Sequence, residues 1–168
     1  MRKLTLLRHA KSSWSDADVS DHDRPLNARG TRDAPEMANR LVQRGCIPDT
    51  ILCSSALRTQ QTAQAMAVAF KLTDDQLIID ESLYLASAAE LLEMIALQAP
   101  VAEHIMVIAH NPGLEVLART LNQQVPLPMP TAAVCHFDVA GQQLDFAKMS
   151  QSDFRLDFHD TPKSDRSN

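Results

Sequence analysis

Two histidines and two arginines follow short apolar runs of this sequence, in positions where they could handle a phosphate group. Arg8 and His9 follow one run, Arg58 comes soon after a second, and His110 follows a third. Guanidinium groups present forked donors that match phosphate oxygens. A neutral imidazole nitrogen can attack phosphorus and form a covalent intermediate, while a second histidine stabilises the developing charge. These residues therefore predict a phosphoryl-transfer site that needs neither a metal nor another cofactor.

The apolar runs that precede these residues are predicted to be buried strands, because they do not alternate strictly with polar residues. The three clearest runs are Leu4–Leu7, Ile51–Cys53 and Ile105–Ala109. A weaker run covers residues 77–79, and residues 132–139 and 144–149 flank Gly141 as a predicted hairpin or pair of sheet strands. Ligands of open α/β sheets bind at the carboxyl ends of the strands. The residues after the three strands are therefore expected to meet at one rim.

Four segments between these strands carry apolar residues at helical spacing. Their stripes are Ala34/Met37/Ala38/Leu41, Ala63/Met66/Ala67/Phe70, Ala88/Leu91/Leu92/Ile95 and Leu114/Leu117/Ala118/Leu121. Pro35 predicts a kink or a late start in the first helix, and Gly45 predicts its C-terminal cap. Asn111 is expected to cap the fourth helix, with Pro112 at its first position. Alternating strands and helices predict an α/β fold of three layers, with a mostly parallel sheet between helices.

The length of 168 residues suits a single domain, which we place at residues 1–150. Residues 151–168 are expected to form a C-terminal tail that docks in part, since Phe154, Leu156 and Phe158 alternate with polar residues as in a strand. From His159 onward the chain is polar, and we expect it to be frayed, with a disordered end.

The net charge, the N-terminal segment and the cysteines indicate which binding partners and which cellular compartment to expect. The net charge of -5, from 16 Lys and Arg against 21 Asp and Glu, argues against nucleic acid as a partner. The apolar run near the N-terminus is too short for a signal peptide or a membrane span. Cys46, Cys53 and Cys135 match no zinc spacing and are expected to be buried, reduced thiols. These features predict a cytoplasmic protein that does not bind a membrane.

Several motifs in order along the chain resemble the histidine phosphatase superfamily, which has the phosphoglycerate-mutase-like fold. Residues 6–12 (LLRHAKS) resemble its signature strand and Arg-His pair, although the family often has glycine where Ala10 stands. Residues 54–63 (SSALRTQQTA) resemble its Ser-Pro-x-x-Arg-x-x-Gln-Thr-Ala block, with Ser55 in place of proline. Residues 108–111 (IAHN) resemble its late histidine block, and residues 24–27 (RPLN) with Gly30 resemble its Pro-Leu-Thr segment. The ordered set is far more specific than an Arg-His pair alone.

Within that superfamily the chain is most similar to the short branch of SixA-like phosphohistidine phosphatases. It has no long insertion before His110, Arg24 directly precedes Pro25, and Trp14 follows the first motif. This resemblance implies a metal-independent phosphatase that acts on phosphohistidine in proteins through a phosphohistidine intermediate. A small phosphoester or phosphoanhydride is an alternative substrate, and a non-catalytic module that binds phosphorylated ligands is the alternative outside enzymes.

The resemblance also implies the roles of individual residues. His9 is the expected nucleophile, Arg8 and Arg58 clamp the phosphoryl oxygens, and His110 completes the phosphate pocket. Three further residues are candidates for contact with the substrate: Arg24 at the mouth of the pocket, Ser12 in the first motif, and Glu81 after the third strand.

A general acid is less clearly indicated by the sequence. Glu81 is the best-placed carboxylate, and Asp21 and Asp23 could also reach the rim. A phosphohistidine substrate needs an acid less than an alkyl phosphate does, because imidazole leaves readily once its free nitrogen is protonated.

Three other kinds of phosphate enzyme fit the sequence less well. Cys53 and Arg58 are separated by four residues without a glycine, whereas cysteine phosphatases need five residues in a glycine-bearing loop. His22, His136 and His159 show no paired spacing that would suit a metallophosphatase. The chain is also short for the lid that a mutase needs to exclude water from its phosphohistidine.

Overall fold

A computed structural model describes residues 2–140 and 150–164 of the chain. Strands and helices alternate through most of its length. In chain order they are β1 (Arg2–Arg8), α1 (Ala28–Gln43), β2 (Thr50–Ser54), α2 (Leu57–Phe70), β3 (Leu77–Asp80), α3 (Ala88–Gln98), β4 (His104–Ala109), α4 (Gly113–Leu121), β5 (Val134–Val139) and β6 (Phe154–Asp160). The predicted alternation of strands and helices is confirmed.

The strands form one six-stranded sheet in the order β3-β2-β4-β1-β5-β6. The first four strands are parallel, while β5 and β6 are added in antiparallel fashion. The carboxyl ends of β1, β2 and β4 therefore lie side by side. This topology brings the residues after the three predicted strands to one rim, as expected.

Helices cover both faces of the sheet, so the fold has the three predicted layers. One core contains residues of α3 and α4, together with Leu52 and Val107 of the sheet. The other contains residues of α1 and α2, together with Cys53 and Ile108. Neighbouring residues of one strand thus enter opposite cores, and both kinds are apolar. This explains why the buried strands show no alternation of polar and apolar residues.

Helix α1 ends as predicted but begins earlier than predicted. Gly45 has φ 68°, and the N–H groups of Gly45 and Cys46 bond to the carbonyls of Val42 and Leu41. These two bonds form the Schellman motif that glycine favours. The late start suggested by Pro35 is wrong, because the helix begins at Ala28, seven residues before the proline.

The start of α1 packs closely against the loop that follows β1. The Asn27 side chain caps the helix by accepting from Gly30 N at 2.9 Å, and Asn27 N donates to Lys11 O at 2.9 Å. A Cβ on Gly30 would lie 2.2 Å from the Lys11 carbonyl oxygen, so only glycine fits there. The helix therefore supports the chain directly after His9.

The C-terminal segment joins the sheet. Phe154–Asp160 forms the edge strand β6, which confirms the predicted extended docking. The prediction of fraying from His159 is wrong for the first two residues: they continue the strand, and buried Asp160 accepts from Arg40 at 3.2 Å. The predicted strand over residues 144–149 and the last four residues of the chain lie outside the described part. Within the described part, no helix is long and apolar enough to cross a membrane.

A chain of buried hydrogen bonds links three strands across the sheet. His104 donates from Nδ1 to Ile47 O at 2.9 Å, so its Nε2 accepts from the Thr5 hydroxyl at 2.8 Å. Thr5 Oγ1 in turn accepts from His136 Nδ1 at 2.8 Å. Burial, the neighbouring His136 and, to a lesser extent, Lys3 lower the pKa of His104 to about 4, against the opposing effects of the Ile47 carbonyl and Asp49. Burial also lowers the pKa of His136, so both imidazoles are neutral near pH 7.

We expect the protein to lose stability on mild acidification. Between pH 6.5 and about 4 the unfolded chain protonates His104 while the folded chain does not, so the free energy of unfolding falls as pH falls through this window. Relative to pH 7.5, His104 by itself lowers the free energy of unfolding at pH 5 by roughly 2 kcal/mol. Urea unfolding at pH 7.5 and pH 5 measures the change, and equal midpoints would contradict it. A His104→Gln variant should show a smaller dependence on pH.

Candidate active site

His9 lies just past the end of β1 and is 8% exposed. Its Nδ1 donates to the Ala10 carbonyl oxygen at 2.7 Å, because a carbonyl can only accept. Nε2 is therefore the unprotonated nitrogen of the ring. Ala10 is held in turn by Thr62 of α2, whose hydroxyl accepts from Ala10 N at 3.0 Å and donates to Arg58 O at 2.7 Å. The surrounding fold thus sets both the tautomer and the position of His9.

The environment of His9 keeps its imidazole neutral. Burial lowers the pKa of His9 to about 4, and the charges of Arg58, Arg8 and Arg24 act in the same direction, whereas the bond to the Ala10 carbonyl opposes them. Near pH 7 the ring therefore carries a free electron pair on Nε2. This is the form in which imidazole acts as a nucleophile.

Two arginines from different strand ends lie in the same cavity as His9. Arg8 donates from Nη1 to Met129 O at 2.7 Å. Arg58, on the first turn of α2, donates to the backbone and, at 2.9 Å, to the carboxylate of Asp21. Both arginines line the cavity, where they can bind an anion.

His110 follows β4 and packs close to His9, with ring centroids 5.2 Å apart. Its Nδ1 accepts from Arg58 Nη2 at 3.3 Å, so its Nε2 carries the proton and donates to Ser54 Oγ at 2.7 Å. Burial, followed by the nearby His9 and Arg58, lowers the pKa of His110 to about 3. His110 is therefore neutral, and in this structure it orients Arg58.

Arg24 lies deeper in the structure than expected for a residue at the mouth of the pocket. Its guanidinium donates to Ser13 O at 2.8 Å, to Asp21 Oδ1 at 2.7 Å and to the hydroxyl of Ser12. Ser12 is itself buried and bridges to Leu26 of the segment before α1. Arg24 and Ser12 thus line the cavity, but they bond to each other and to the protein.

These side chains surround a cavity of about 330 Å³. Among the described residues, the cationic side chains that line it are those of Arg8, Lys11, Arg24 and Arg58, against the carboxylate of Asp21. The cavity is thus cationic although the chain as a whole carries a net charge of -5. A larger groove of about 500 Å³ lies between α1 and α2, but its walls are mainly apolar, and the described residues that line it include neither a histidine nor an arginine.

Comparison with known proteins shows the family to which the chain belongs. Residues 4–84 match the family model of the histidine phosphatase superfamily, branch 1. An uncharacterised protein of Mycobacterium tuberculosis (strain H37Rv) is 30% identical over 149 residues, which cover 83% of this chain and 90% of that protein. The chain belongs to the histidine phosphatase superfamily. The resemblance seen in the sequence motifs is thereby confirmed.

Another relative and two solved structures extend this comparison. An uncharacterised chloroplast protein of Arabidopsis thaliana is 49% identical over 65 residues, which cover 39% of this chain and only 30% of that protein. A structure assigned as the phosphohistidine phosphatase SixA of Agrobacterium tumefaciens has a TM-score of 0.81 and 29% identity, over 96% of this chain and 99% of that one. The structure of the protein histidine phosphatase SixA in complex with tungstate has a TM-score of 0.78 and 20% identity, and the match covers 95% of this chain and 97% of that one. The protein is thus a phosphatase of this superfamily with a SixA-like fold.

The cavity is also lined by Asp21, a carboxylate that the sequence indicated only loosely. Asp21 bonds to Arg24 and Arg58, and it also accepts from Tyr84 Oη at 2.8 Å. Partial burial tends to raise the pKa of Asp21, but the hydrogen bond from Tyr84 and the charges of Arg58 and Arg24 outweigh it and lower the pKa. Asp21 is therefore ionised. Asp23, the other candidate carboxylate of this loop, bonds to Ser20 and His22 and does not line the cavity.

Glu81 lies apart from this site. It is exposed at the start of a short 3₁₀ turn, Glu81–Leu83, and is not among the residues that line the cavity. The same turn leads instead to Tyr84, whose ring packs edge-on against His110.

Cys53 is not placed to act as a nucleophile. It is fully buried in the core beneath α1 and α2, and its thiol donates to Ser54 O at 3.2 Å. Burial raises the pKa of Cys53 to about 12, in spite of the opposing hydrogen bond with Thr59. The thiolate needed by a cysteine phosphatase is therefore not available near pH 7.

Supporting contacts behind Arg8 were missed by the sequence analysis. Glu115 of α4 accepts from Met129 N at 2.9 Å and from Asn111 Nδ2 at 2.8 Å, and so holds the carbonyl that binds Arg8. The prediction that Asn111 caps α4 is wrong: Pro112 occupies the cap position, and the Asn111 amide turns toward Glu115. A carboxylate one turn into a helix gives no sequence signal of this role.

Proposed function

We propose that the protein is a phosphohistidine phosphatase, in which His9 takes the phosphoryl group from the substrate and passes it to water. The observation that carries the proposal is the neutral His9 ring, with Nδ1 bound to Ala10 O and Nε2 unprotonated, in a cationic cavity. In this arrangement the nucleophile needs no base to remove a proton before attack. The name of the SixA relative from Agrobacterium tumefaciens supports the same assignment.

In the first step, Nε2 of His9 bonds to phosphorus as the phosphorus–nitrogen bond of the substrate breaks. The electron pair of that bond goes to the departing nitrogen, and the imidazole leaves as a neutral molecule if its other nitrogen carries a proton. Arg8 and Arg58 balance the charge on the transferring oxygens. In the second step, water attacks the phosphorylated His9, phosphate and a proton depart, and the neutral histidine is restored.

The ionised state of Asp21, the carboxylate that lines the cavity, favours a substrate with a phosphorus–nitrogen bond over an alkyl phosphate ester. An alkoxide leaving group needs a proton from a positioned acid, which contributes roughly 10²–10⁴-fold to the rate. Asp21 is ionised by its bonds to Tyr84 and the two arginines, so it holds no proton to give. An imidazole whose other nitrogen already carries a proton leaves as a neutral molecule and needs no acid from the protein.

The test compares two peptides of the same sequence, one phosphorylated on histidine and one on serine. Phosphate release is measured with a chelator present, and the rate with a His9→Ala variant is subtracted because phosphohistidine hydrolyses unaided. We expect kcat/KM for the phosphohistidine peptide to be higher by roughly 10²-fold or more. Equal values would indicate a general phosphoester hydrolase, and phosphate binding without turnover would indicate a non-catalytic module.

A further inference from the structure

Trp14 is the only tryptophan of the chain, and its position is unusual for so large an apolar side chain. It is 74% exposed, yet it lines the cavity that holds His9 and the arginines. The rest of the cavity wall is mainly polar or charged. An exposed aromatic ring beside a phosphate site can contact the part of the substrate that is not phosphate.

The ring of Trp14 is supported on one side by Arg24. The guanidinium carbon lies 3.2 Å from the ring centroid, and Arg24 is itself fixed by bonds to Ser12, Ser13 and Asp21. Because the edge of the guanidinium is occupied by these bonds, its flat face is what it presents to the indole. The contact with Arg24 therefore fixes the orientation of the indole, while most of the ring remains exposed to solvent.

Leu85 is a second exposed apolar residue that lines the same cavity. It is 56% exposed and has a positive φ of 51°, which is an unfavourable backbone conformation for residues other than glycine. Its neighbours Leu83 and Ala86 are buried and hold the turn in place. Strained residues of this kind persist where the surrounding structure imposes them, often at binding sites.

The direction of attack places the leaving group near these two residues. His9 is nearly buried, whereas Trp14 and Leu85 are the most exposed apolar residues of the cavity wall. In phosphoryl transfer the attacking and leaving atoms lie roughly in line on opposite sides of phosphorus. A phosphoryl group attacked by His9 from the interior therefore directs its leaving group outward, toward the open side.

We propose that Trp14, together with Leu85, binds a planar ring that is bonded directly to the phosphoryl group, such as the imidazole of phosphohistidine. The ring packs on the open part of the indole, and the site thereby selects for flat leaving groups. This inference rests on the proposed attack by His9. It adds a specificity determinant outside the residues that contact phosphate.

The test uses two substrates that share the phosphorus–nitrogen bond: a phosphohistidine peptide, and phosphoramidate, whose leaving group is ammonia. For Trp14→Ala we expect the ratio of their kcat/KM values to fall about tenfold relative to the parent protein, as expected for loss of an aromatic contact. Trp14→Phe should restore most of the ratio. Leu97→Ala, which removes an equally exposed residue from α3, should leave the ratio unchanged. An unchanged ratio in Trp14→Ala would overturn the proposal.

A binding measurement separates this inference from the proposed function. Phenylphosphonate and methylphosphonate cannot be hydrolysed, and the single tryptophan reports on both by its fluorescence. We expect phenylphosphonate to bind more tightly than methylphosphonate and to change the fluorescence of the parent protein more. Isothermal titration calorimetry, which does not depend on the tryptophan, should show that Trp14→Ala loses the difference in affinity. If the phosphohistidine peptide is not hydrolysed but this difference in affinity is found, the proposed substrate is wrong. The ring site is then still supported, with an aryl phosphate as its ligand. If the two phosphonates bind equally, the ring site is wrong whatever the catalytic result.

Discussion

Replacing His9 by alanine is expected to lower the rate of phosphate release by roughly three or more orders of magnitude, because loss of a covalent nucleophile is among the largest single effects in an enzyme. Among the described residues that line the cavity, His110 is the other histidine, and both of its nitrogens are engaged by Arg58 and Ser54. Phosphate release from a phosphohistidine peptide, corrected for spontaneous hydrolysis, measures the loss. Labelled phosphoryl enzyme should also be trapped with the parent protein and not with His9→Ala.

His159→Ala provides a matched control for this result. His159 lies on the edge strand β6 and does not line the cavity, so its removal should change the rate only slightly. Thermal unfolding at pH 7 shows whether His9→Ala remains folded, which we expect because the His9 side chain hydrogen-bonds to the carbonyl of its neighbour in the chain, Ala10. A folded His9→Ala variant with parental activity would show that His9 is not the nucleophile.

Replacing Arg58 by lysine is expected to lower kcat/KM by roughly 10²-fold, although the positive charge is kept. The buried guanidinium bonds at once to Asp21 and to Nδ1 of His110, and it still faces the cavity. Lysine offers a compact charge without the planar fork, so it cannot keep these bonds and also hold two phosphoryl oxygens. Steady-state kinetics measures the loss, and the inhibition constant for tungstate should rise as well.

Arg119→Lys is the control, because it makes the same replacement of arginine by lysine away from the cavity. Arg119 donates to the backbone carbonyls of Gln123 and Val125 near the end of α4, away from the cavity. Its replacement should leave kcat/KM within about twofold, as is usual for a surface substitution. If Arg58→Lys behaved like this control, Arg58 would not stabilise the transferring phosphoryl group.

The parts of the site that sequence alone predicted are those attached to strand ends. Arg8, His9 and His110 directly follow apolar runs, and the run before Arg58 ends only a few residues earlier. Parallel strands bring such residues together whatever the details of the loops, because hydrogen bonding between strands aligns their carboxyl ends. The helical stripes were equally readable, since burial on one side of a helix demands that spacing.

The parts that sequence alone did not predict depend on contacts between distant loops. Asp21 and Tyr84 are 63 residues apart in the chain, and their bond forms only because the segment before α1 and the turn after β3 fold over the same rim. No local pattern distinguishes Asp21 from Asp23, or Tyr84 from Glu81, as the residue that turns inward. The packing of the loops makes that selection.

The sequence by itself determined the α/β fold and the superfamily, and it predicted four site residues at or shortly after strand ends, because each follows from local hydrophobic spacing and from short motifs. The tertiary structure decided the state and surroundings of those residues. It set the neutral tautomer of His9 through Ala10, tied Arg24 to Ser12 and Asp21 beneath Trp14, and left Glu81 outside the cavity. Burial and hydrogen bonding between distant segments control these properties, and neither is encoded in the spacing of residues along the chain.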